Sequence, residues 1–298
     1  MSTKKVVIGS RESLLAKVQS NMVVSFLRET HPALEVELLT MKTTGDKILD
    51  RRLDQVGGKG LFVKELDAAL MEGRSDYSVH SCKDLPMEVP AELPLVCYSK
   101  REDPRDVLVF PQGASEPDFS KPIGTSSPRR EIQLRTLFPE ARFESIRGNV
   151  QTRLRKLDEG QFGAIVLAAA GLRRLGLGER IGAMLDAHEM IPAAGQGILA
   201  IQGRADADPT LFEGFADEDA RVAAEAERAF VTRLDGGCSS PIAAHAIVQG
   251  DNVELLGLYF DEKTGEARRD VVHGARAEAV GLAKQLADWL KAGNGTKL

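Results

Sequence analysis

The chain has 298 residues, 43% hydrophobic and 28% charged, with a formal net charge of −5. That composition suits a globular protein of two or three domains and excludes a disordered chain, which would lack the apolar content for a core. No stretch near twenty residues is without charged or turn residues, so no membrane span is expected. The short apolar run Val6-Val7-Ile8 after Lys4-Lys5 does not read as a secretory leader, and the expected location is the cytoplasm. Three cysteines, Cys82, Cys97 and Cys238, form no C-x-x-C pair and suggest neither a disulfide framework nor a metal site.

Residues 6–8 predict a short buried strand that stops at Gly9-Ser10. An amphipathic helix follows, with Leu14, Val18, Met22 and Phe26 at i, i+4 spacing and an end near Thr30-His31-Pro32. Residues 34–41 read as a strand, 43–60 as a long polar loop and 61–72 as a helix. A strand over 77–80 leads into Ser81-Cys82-Lys83-Asp84, and Cys97 looks like strand core. The alternation predicts an α/β structure with a largely parallel sheet.

The pattern then restarts. Residues 106–110 predict a strand, Ile123-Gly-Thr-Ser-Ser-Pro-Arg-Arg130 opens a helix through Leu137, and a helix over 147–157 precedes a strand over 164–168. Residues 198–201, after Gly195-Gln196-Gly197, read as a strand returning to the first lobe. From Asp217 a helix runs to about Leu234, followed by the tight loop Asp235-Gly-Gly-Cys-Ser-Ser-Pro241. Strands over 243–248, 253–260 and 267–273 form an antiparallel meander, and a closing helix carries Leu282, Leu286 and Trp289 on one face. The expected division is residues 1–99 with 192–214 as one lobe, 100–191 as an arginine-rich second lobe, and 215–298 as a small α+β domain with a three-stranded sheet.

Charge is uneven. Residues 121–180 hold 12 Lys and Arg against 6 Asp and Glu, a local +6 that leaves −11 elsewhere. Arginine binds carboxylate or phosphate through a planar fork of donors, although solvated helix faces would show the same residues. With 5% aromatic residues and no recognition motif, a small polyanion fits better than nucleic acid. Two corners are alike, Ile8-Gly-Ser-Arg11 and Ile123-Gly-Thr-Ser-Ser-Pro-Arg129. Each runs from strand through glycine and hydroxyls to arginine at a helix start, where free N–H groups favour anions and where capping residues also belong. The pair suggests two lobes facing one anionic ligand.

Asp84 follows a strand, where α/β sheets place ligands. It would steady positive charge on a substrate, or form a loop ion pair with Lys83. Cys238 sits in a glycine turn as either a reachable thiol or a packing residue. His80 reads as a packed strand residue rather than a base.

Eight segments then fall in order: Arg11-Glu-Ser-Leu-Leu-Ala16, Gly57-Gly-Lys-Gly-Leu-Phe62, Val79-His-Ser-Cys-Lys-Asp84, Arg101-Glu-Asp-Pro-Arg-Asp106, Gly124-Thr-Ser-Ser-Pro-Arg-Arg130, Arg147-Gly-Asn-Val-Gln-Thr-Arg153, Ala170-Gly-Leu-Arg-Arg-Leu-Gly176 and Gly236-Gly-Cys-Ser-Ser-Pro241. Together they resemble the porphobilinogen deaminase (hydroxymethylbilane synthase) family over nearly the whole chain. Cys82 stands where that family more often has a larger apolar residue. The resemblance implies two periplasmic-binding-protein-like lobes, a third domain, and a dipyrromethane cofactor held by a thioether to Cys238. It implies a monomeric transferase of tetrapyrrole biosynthesis that joins four porphobilinogen molecules head to tail, loses ammonia at each step and releases hydroxymethylbilane by hydrolysis.

By the same resemblance, Asp84 binds pyrrole nitrogens and steadies cationic intermediates. The matching binding positions are Arg11, Ser13, Lys59, Ser81, Lys83, Thr125, Ser126, Ser127, Arg129, Arg130, Arg147, Gly148, Arg153, Arg174 and Gln196, with Lys59 in a loop that would cover the site. No metal is implied. Acetate and propionate groups on every ring would explain the arginines, because buried carboxylates without partners are costly.

Overall fold

The computed structural model describes residues 4–47, 60, 63–236 and 240–298. It divides into two compact units, Met1–Arg101 with Ile198–Arg221, and Glu102–Gly197 with Val222–Leu298. The first unit opens with β1 (Lys4–Arg11), α1 (Leu14–Thr30), β2 (Leu34–Met41), α2 (Thr44–Lys47) and α3 (Lys64–Met71). It continues with β3 (Tyr77–Ser81), a 3-10 turn over Cys82–Asp84, and β4 (Leu95–Tyr98). Strand β1 outruns its apolar stretch by three residues, because parallel pairing with β2 carries Gly9, Ser10 and Arg11 opposite Leu39, Thr40 and Met41. The loop expected over 43–60 starts with the short helix α2, and its remainder to residue 59 lies outside the described residues, as do residues 61–62 of the next helix.

Helix α1 faces the core differently from its i, i+4 pattern. Leu14 and Met22 are 48% and 44% exposed, while Ala16, Gln19, Ser20, Val23, Val24 and Leu27 are buried. Small residues let the helix lie close to the sheet, and the buried hydroxyls satisfy one another, Ser20 Oγ donating to Ser10 Oγ at 2.8 Å.

The second unit carries β5 (Asp106–Val109), β6 (Ile123–Gly124), α4 (Pro128–Leu137), β7 (Phe143–Glu144), α5 (Val150–Asp158), β8 (Ala164–Ala168), α6 (Ala169–Arg174) and β9 (Ala183–Met184). Next comes β10 (Leu199–Gly203), which pairs with β3 and β4 of the first unit's sheet. The two five-stranded sheets have the orders β2-β1-β3-β10-β4 and β7-β6-β8-β5-β9. In each, a central strand lies parallel to two neighbours and one distant strand enters in reverse. Both sheets are therefore largely parallel with one reversed strand each, and the repeat is the two-lobed pattern expected. Gly9 and Gly124 hold equivalent positions: a Cβ would lie 2.8 Å from Ser78 Oγ at the first and 2.9 Å from Phe162 at the second.

The sheet of the second unit is apolar on both faces, as a covered sheet requires. Val107, Val109, Ile165 and Leu167 pack against Leu154, Leu157 and Leu172, and Leu108, Ala164 and Val166 against Ile123 and Leu134. One charge sits inside. Asp106 is 0% exposed and accepts from Arg129 Nη2 at 2.8 Å, Arg130 Nη2 at 2.7 Å and Gln196 Nε2 at 2.9 Å.

After α7 (Glu218–Arg233) come β11 (Ala243–Gln249), β12 (Asn252–Asp261), β13 (Glu266–Ala275), α8 (Ala279–Lys291) and β14 (Thr296–Lys297). The C-terminal sheet has four strands rather than three, since the two-residue β14 pairs with Arg268 and Arg269. In α8 the buried face is Ala279, Ala283, Leu286, Ala287 and Leu290. Trp289 is 51% exposed instead, its Nε1 donating to Asp270 Oδ2 at 3.0 Å. Buried Glu227 accepts the Gly195 and Ala246 amides at 2.6 and 2.7 Å, tying the turn at Gly195 to β11. Among the described residues no helix is long and apolar enough to cross a membrane.

Two stability predictions follow from these buried charges. Asp106→Ala leaves two buried guanidinium groups without their carboxylate and should cost about 3–5 kcal/mol in urea unfolding. A loss below about 1 kcal/mol would contradict the pairing. His80 on β3 is 6% exposed, and burial lowers its pKa to about 4, with Gln202 opposing that shift and Arg11 reinforcing it. An unfolded histidine titrates near 6.5, so between that pH and about 4 the unfolded chain binds more protons and stability falls on acidification. From pH 7 to pH 5 this group should remove about 2 kcal/mol, read as the difference in pH dependence between the native chain and His80→Gln. Equal slopes for the two proteins would exclude it.

Candidate active site

Strands β1 and β3 are parallel, so their C-terminal ends lie on one side of the sheet, where α/β folds leave room for ligands. There Arg11, Ala16, Gln19, Val63, Val79, His80, Ser81 and Asp84 line a small pocket that opens to solvent. Arg11 closes β1 and Ser81 closes β3. Ser81 Oγ accepts from Gln19 Nε2 at 2.9 Å and donates to Gln19 Oε1 at 3.1 Å, which fixes the hydroxyl on the pocket wall.

The 3-10 turn that presents Asp84 is anchored at both ends. The Cys82 amide donates to the Ile198 carbonyl at 3.0 Å, and the Leu85 amide to the Cys82 carbonyl at 3.2 Å. Cys82 itself is fully buried. Asp84 is half-buried and makes no ion pair or side-chain hydrogen bond among the described residues. The loop ion pair with Lys83 is thus absent, and the carboxylate is open to N–H donors of a ligand.

A second set lies in the other unit. Thr125, Ser126 and Ser127 connect β6 to α4. Thr125 Oγ1 accepts the Ser127 amide at 3.3 Å, and Ser126 Oγ is 2.9 Å from Ser145 Oγ. Ser127 is the N-cap of α4, but its hydroxyl makes no capping bond. Ser13, by contrast, does cap its helix, accepting the Ala16 amide at 3.3 Å. Gly148 has φ +116° and a Cβ there would lie 2.6 Å from Thr152, so only glycine fits. Its carbonyl accepts Arg153 Nε at 2.8 Å, and Asn149 caps α5. Arg147 precedes this turn. Arg174 ends α6 and donates from Nη2 to the Gly197 carbonyl at 2.6 Å, while its buried Nε has no hydrogen-bond partner among the described residues. Burial lowers its pKa to about 10, so it remains a cation at neutral pH.

Three positions read as ligand-binding have other partners. Arg129, Arg130 and Gln196 converge on Asp106, with Arg129 Nη1 and Arg130 Nη1 donating to the Ile191 and Val166 carbonyls at 2.7 and 3.0 Å. The likeness of the two corners therefore ends at the arginine: Arg11 closes a strand beside the pocket, whereas Arg129 enters a helix and turns inward. Part of the local +6 is met by acids from outside the segment: Arg129 and Arg130 pair with Asp106, and Arg173 with Glu102 and Asp103. Arg135, Arg155 and Arg180 pair within it, with Glu131, Glu159 and Asp158.

Lys59 and Cys238 lie outside the described residues. Among the described residues no group of three or more His, Cys, Asp or Glu side chains could hold a metal ion. Sequence reasoning passed over Gln19, whose available signal was a polar side chain at a position that the helix period turns inward. His80 is packed in its strand as expected, and it also borders the pocket.

Two family models match the chain. The porphobilinogen deaminase, dipyromethane cofactor binding domain covers residues 6–211, and the porphobilinogen deaminase, C-terminal domain covers residues 222–292. A porphobilinogen deaminase of Ruminiclostridium cellulolyticum is 53% identical over 283 residues, covering 95% of this chain and 96% of that protein. The porphobilinogen deaminase of Trichlorobacter lovleyi is 46% identical across 99% of this chain and 96% of its own. Among solved structures, the periplasmic aliphatic sulphonate binding protein SsuA from Escherichia coli aligns over 78% of this chain and 71% of its own, at 13% identity and a TM-score of 0.41, too distant to bear on function. With both family models matched in order and half the residues shared with such relatives, the chain belongs to the porphobilinogen deaminase family.

Proposed function

We propose that this chain is a transferase that joins four porphobilinogen molecules head to tail on a covalently held dipyrromethane, releases ammonia at each addition and ends by hydrolysis to hydroxymethylbilane. The observation that carries the residue roles is Asp84, a carboxylate left without a partner in a pocket that also holds Arg11 and Ser81. The residues present fit the cofactor: cations and hydroxyls suit its carboxylates, and an unpaired aspartate suits its pyrrole N–H groups. When bound, that cofactor supplies the ring carbon to which the next unit is joined.

The chain's own residues divide the remaining work. Cys238 holds the cofactor through sulfur. Arg11, Ser13, Ser81 and Lys83 bind acetate and propionate groups, as do Thr125, Ser126, Ser127, Arg147, Gly148, Arg153 and Arg174, and Lys59 is read as a further contact. Arg129, Arg130 and Gln196 support that set from behind through Asp106. Asp84 accepts pyrrole N–H groups and steadies positive charge as ammonia leaves, an interaction stronger in the transition state than in the ground state.

We read residues 1–99 with 192–214, 100–191 and 215–298 as three domains, and the boundary between the two family matches near residue 220 supports the last of them. A cytoplasmic monomer that binds no nucleic acid is the accompanying reading, supported by the internal pairing of the basic segment.

Asp84→Ala should lower turnover about 100-fold or more while leaving the circular dichroism spectrum unchanged. Near-normal turnover would remove Asp84 from the mechanism. Intact mass of the denatured native protein should exceed the sequence mass by a dipyrromethane adduct mapping to residue 238, and Cys238→Ser should lack it. The same adduct on Cys238→Ser would disprove the thioether.

A further inference from the structure

A sheet face covered by a helix is normally apolar, yet the face of the first unit's sheet under α3 is polar. By strand alternation Gly9 and Arg11 of β1, Ser78 and His80 of β3, and Gln202 of β10 share that face. Helix α3 packs on β1 and β3, and its Leu66 meets Ser75 and Ser78 around Gly9. Five buried atoms here make no hydrogen bond of ordinary geometry among the described residues: Asp67 Oδ1, Ser75 Oγ, Ser78 Oγ, His80 Nε2 and Gln202 Oε1. Gln202 reaches both Asp67 and His80 through side-chain contacts that lower the proton affinity of the first and raise that of the second. These contacts fall short of the distance and angle of a formed hydrogen bond at Asp67 Oδ1, His80 Nε2 or Gln202 Oε1. Burying a polar group without a partner is unfavourable, so a cluster of them marks a place built for a polar occupant. One end of the stripe is His80, in the pocket wall with Arg11 and Asp84. The other is Asp67, half-buried on α3 and so within reach of solvent.

We propose that this stripe is a proton path out of the pocket, in which His80 takes up a proton and ordered water held by Ser75, Ser78 and Gln202 passes it to Asp67. The proposal rests on the reading of function given above. At each addition a C–C bond forms between the attacking ring carbon and the aminomethyl carbon of the incoming molecule, the C–N bond breaks, and ammonia leaves with the electron pair. The attacking carbon must then lose its proton, which goes to one ring nitrogen of His80. A proton leaves the other nitrogen for the water track, restoring the neutral imidazole, and nothing is oxidised or reduced. Burial lowers the proton affinity of His80 and raises that of Asp67, which narrows the gap the proton must cross.

The test uses holoenzyme whose adduct on Cys238 has been verified by intact mass, as the native chain and as His80→Gln, Asp67→Asn and Ser78→Ala. His80→Gln and Asp67→Asn should lower kcat about 10-fold or more, with KM changed less than about twofold and the solvent deuterium isotope effect on a single addition increased. Ser78→Ala, which removes an orphaned atom and little volume, should show the same isotope signature with a smaller loss. In the same holoprotein, Asp67→Asn should move the ¹⁵N shifts of the His80 ring. Folded Asp67→Asn and Ser78→Ala proteins with native kcat, native isotope effect and unmoved His80 shifts would overturn the proton path while leaving the assigned activity intact. A native holoprotein that carries its adduct but does not turn over porphobilinogen would instead overturn the functional reading, and the path with it.

Discussion

The structure depends on keeping one carboxylate out of every ion pair in a neighbourhood of cations. Opposite unit charges about 4 Å apart attract by roughly 4 kcal/mol in a partly solvated site, so an aspartate next to a lysine in sequence and sharing a pocket with an arginine would ordinarily be neutralised. Asp84 is not. The short turn that carries it is pinned by the Cys82 amide on Ile198 and by the buried Cys82 side chain, so its direction is set by backbone and packing rather than by charge. That leaves an anion available to a cation or N–H donor that enters the pocket, the role proposed for it above.

The arginines divide along a related line. Arg129 and Arg130 converge on Asp106 inside the second unit, an arrangement that adds little net stability over an apolar core but is severe to break. Its value is orientation: α4, the turn at Gln196 and β5 are all bound to one carboxylate, and Ser127 at the start of α4 is placed by them. Arg147, Arg153 and Arg174 sit on neighbouring turns and helix ends, where a ligand can reach an arginine without a core being dismantled.

Much of this was legible in the sequence because it is local. Strands β2 and β8 fall where residues 34–41 and 164–168 place them, and the meander after Pro241 follows its turn residues. What the sequence concealed depends on distant partners. The exposed flanks of α1 and α8 carry Leu14, Met22 and Trp289, large apolar residues that a periodicity argument turns inward, while the buried faces mix Val and Leu with small residues, Ala16 and Ser20 on α1 and Ala279, Ala283 and Ala287 on α8, that let the helices approach the sheet. Strand β14 is two residues long and owes its existence to the edge of β13. The inward turn of Arg129 and Arg130 is set by Asp106, more than twenty positions away, and the polar face under α3 becomes visible only when β10 is seen paired with β3.

The measurement closest to the central claim is a crystal structure of the loaded holoprotein at a resolution that orients carboxylates. Asp84 should accept pyrrole N–H groups at about 3 Å while remaining apart from Lys83 and Arg11. A structure in which Asp84 closes an ion pair with either cation, and the pyrrole nitrogens find other acceptors, would contradict it.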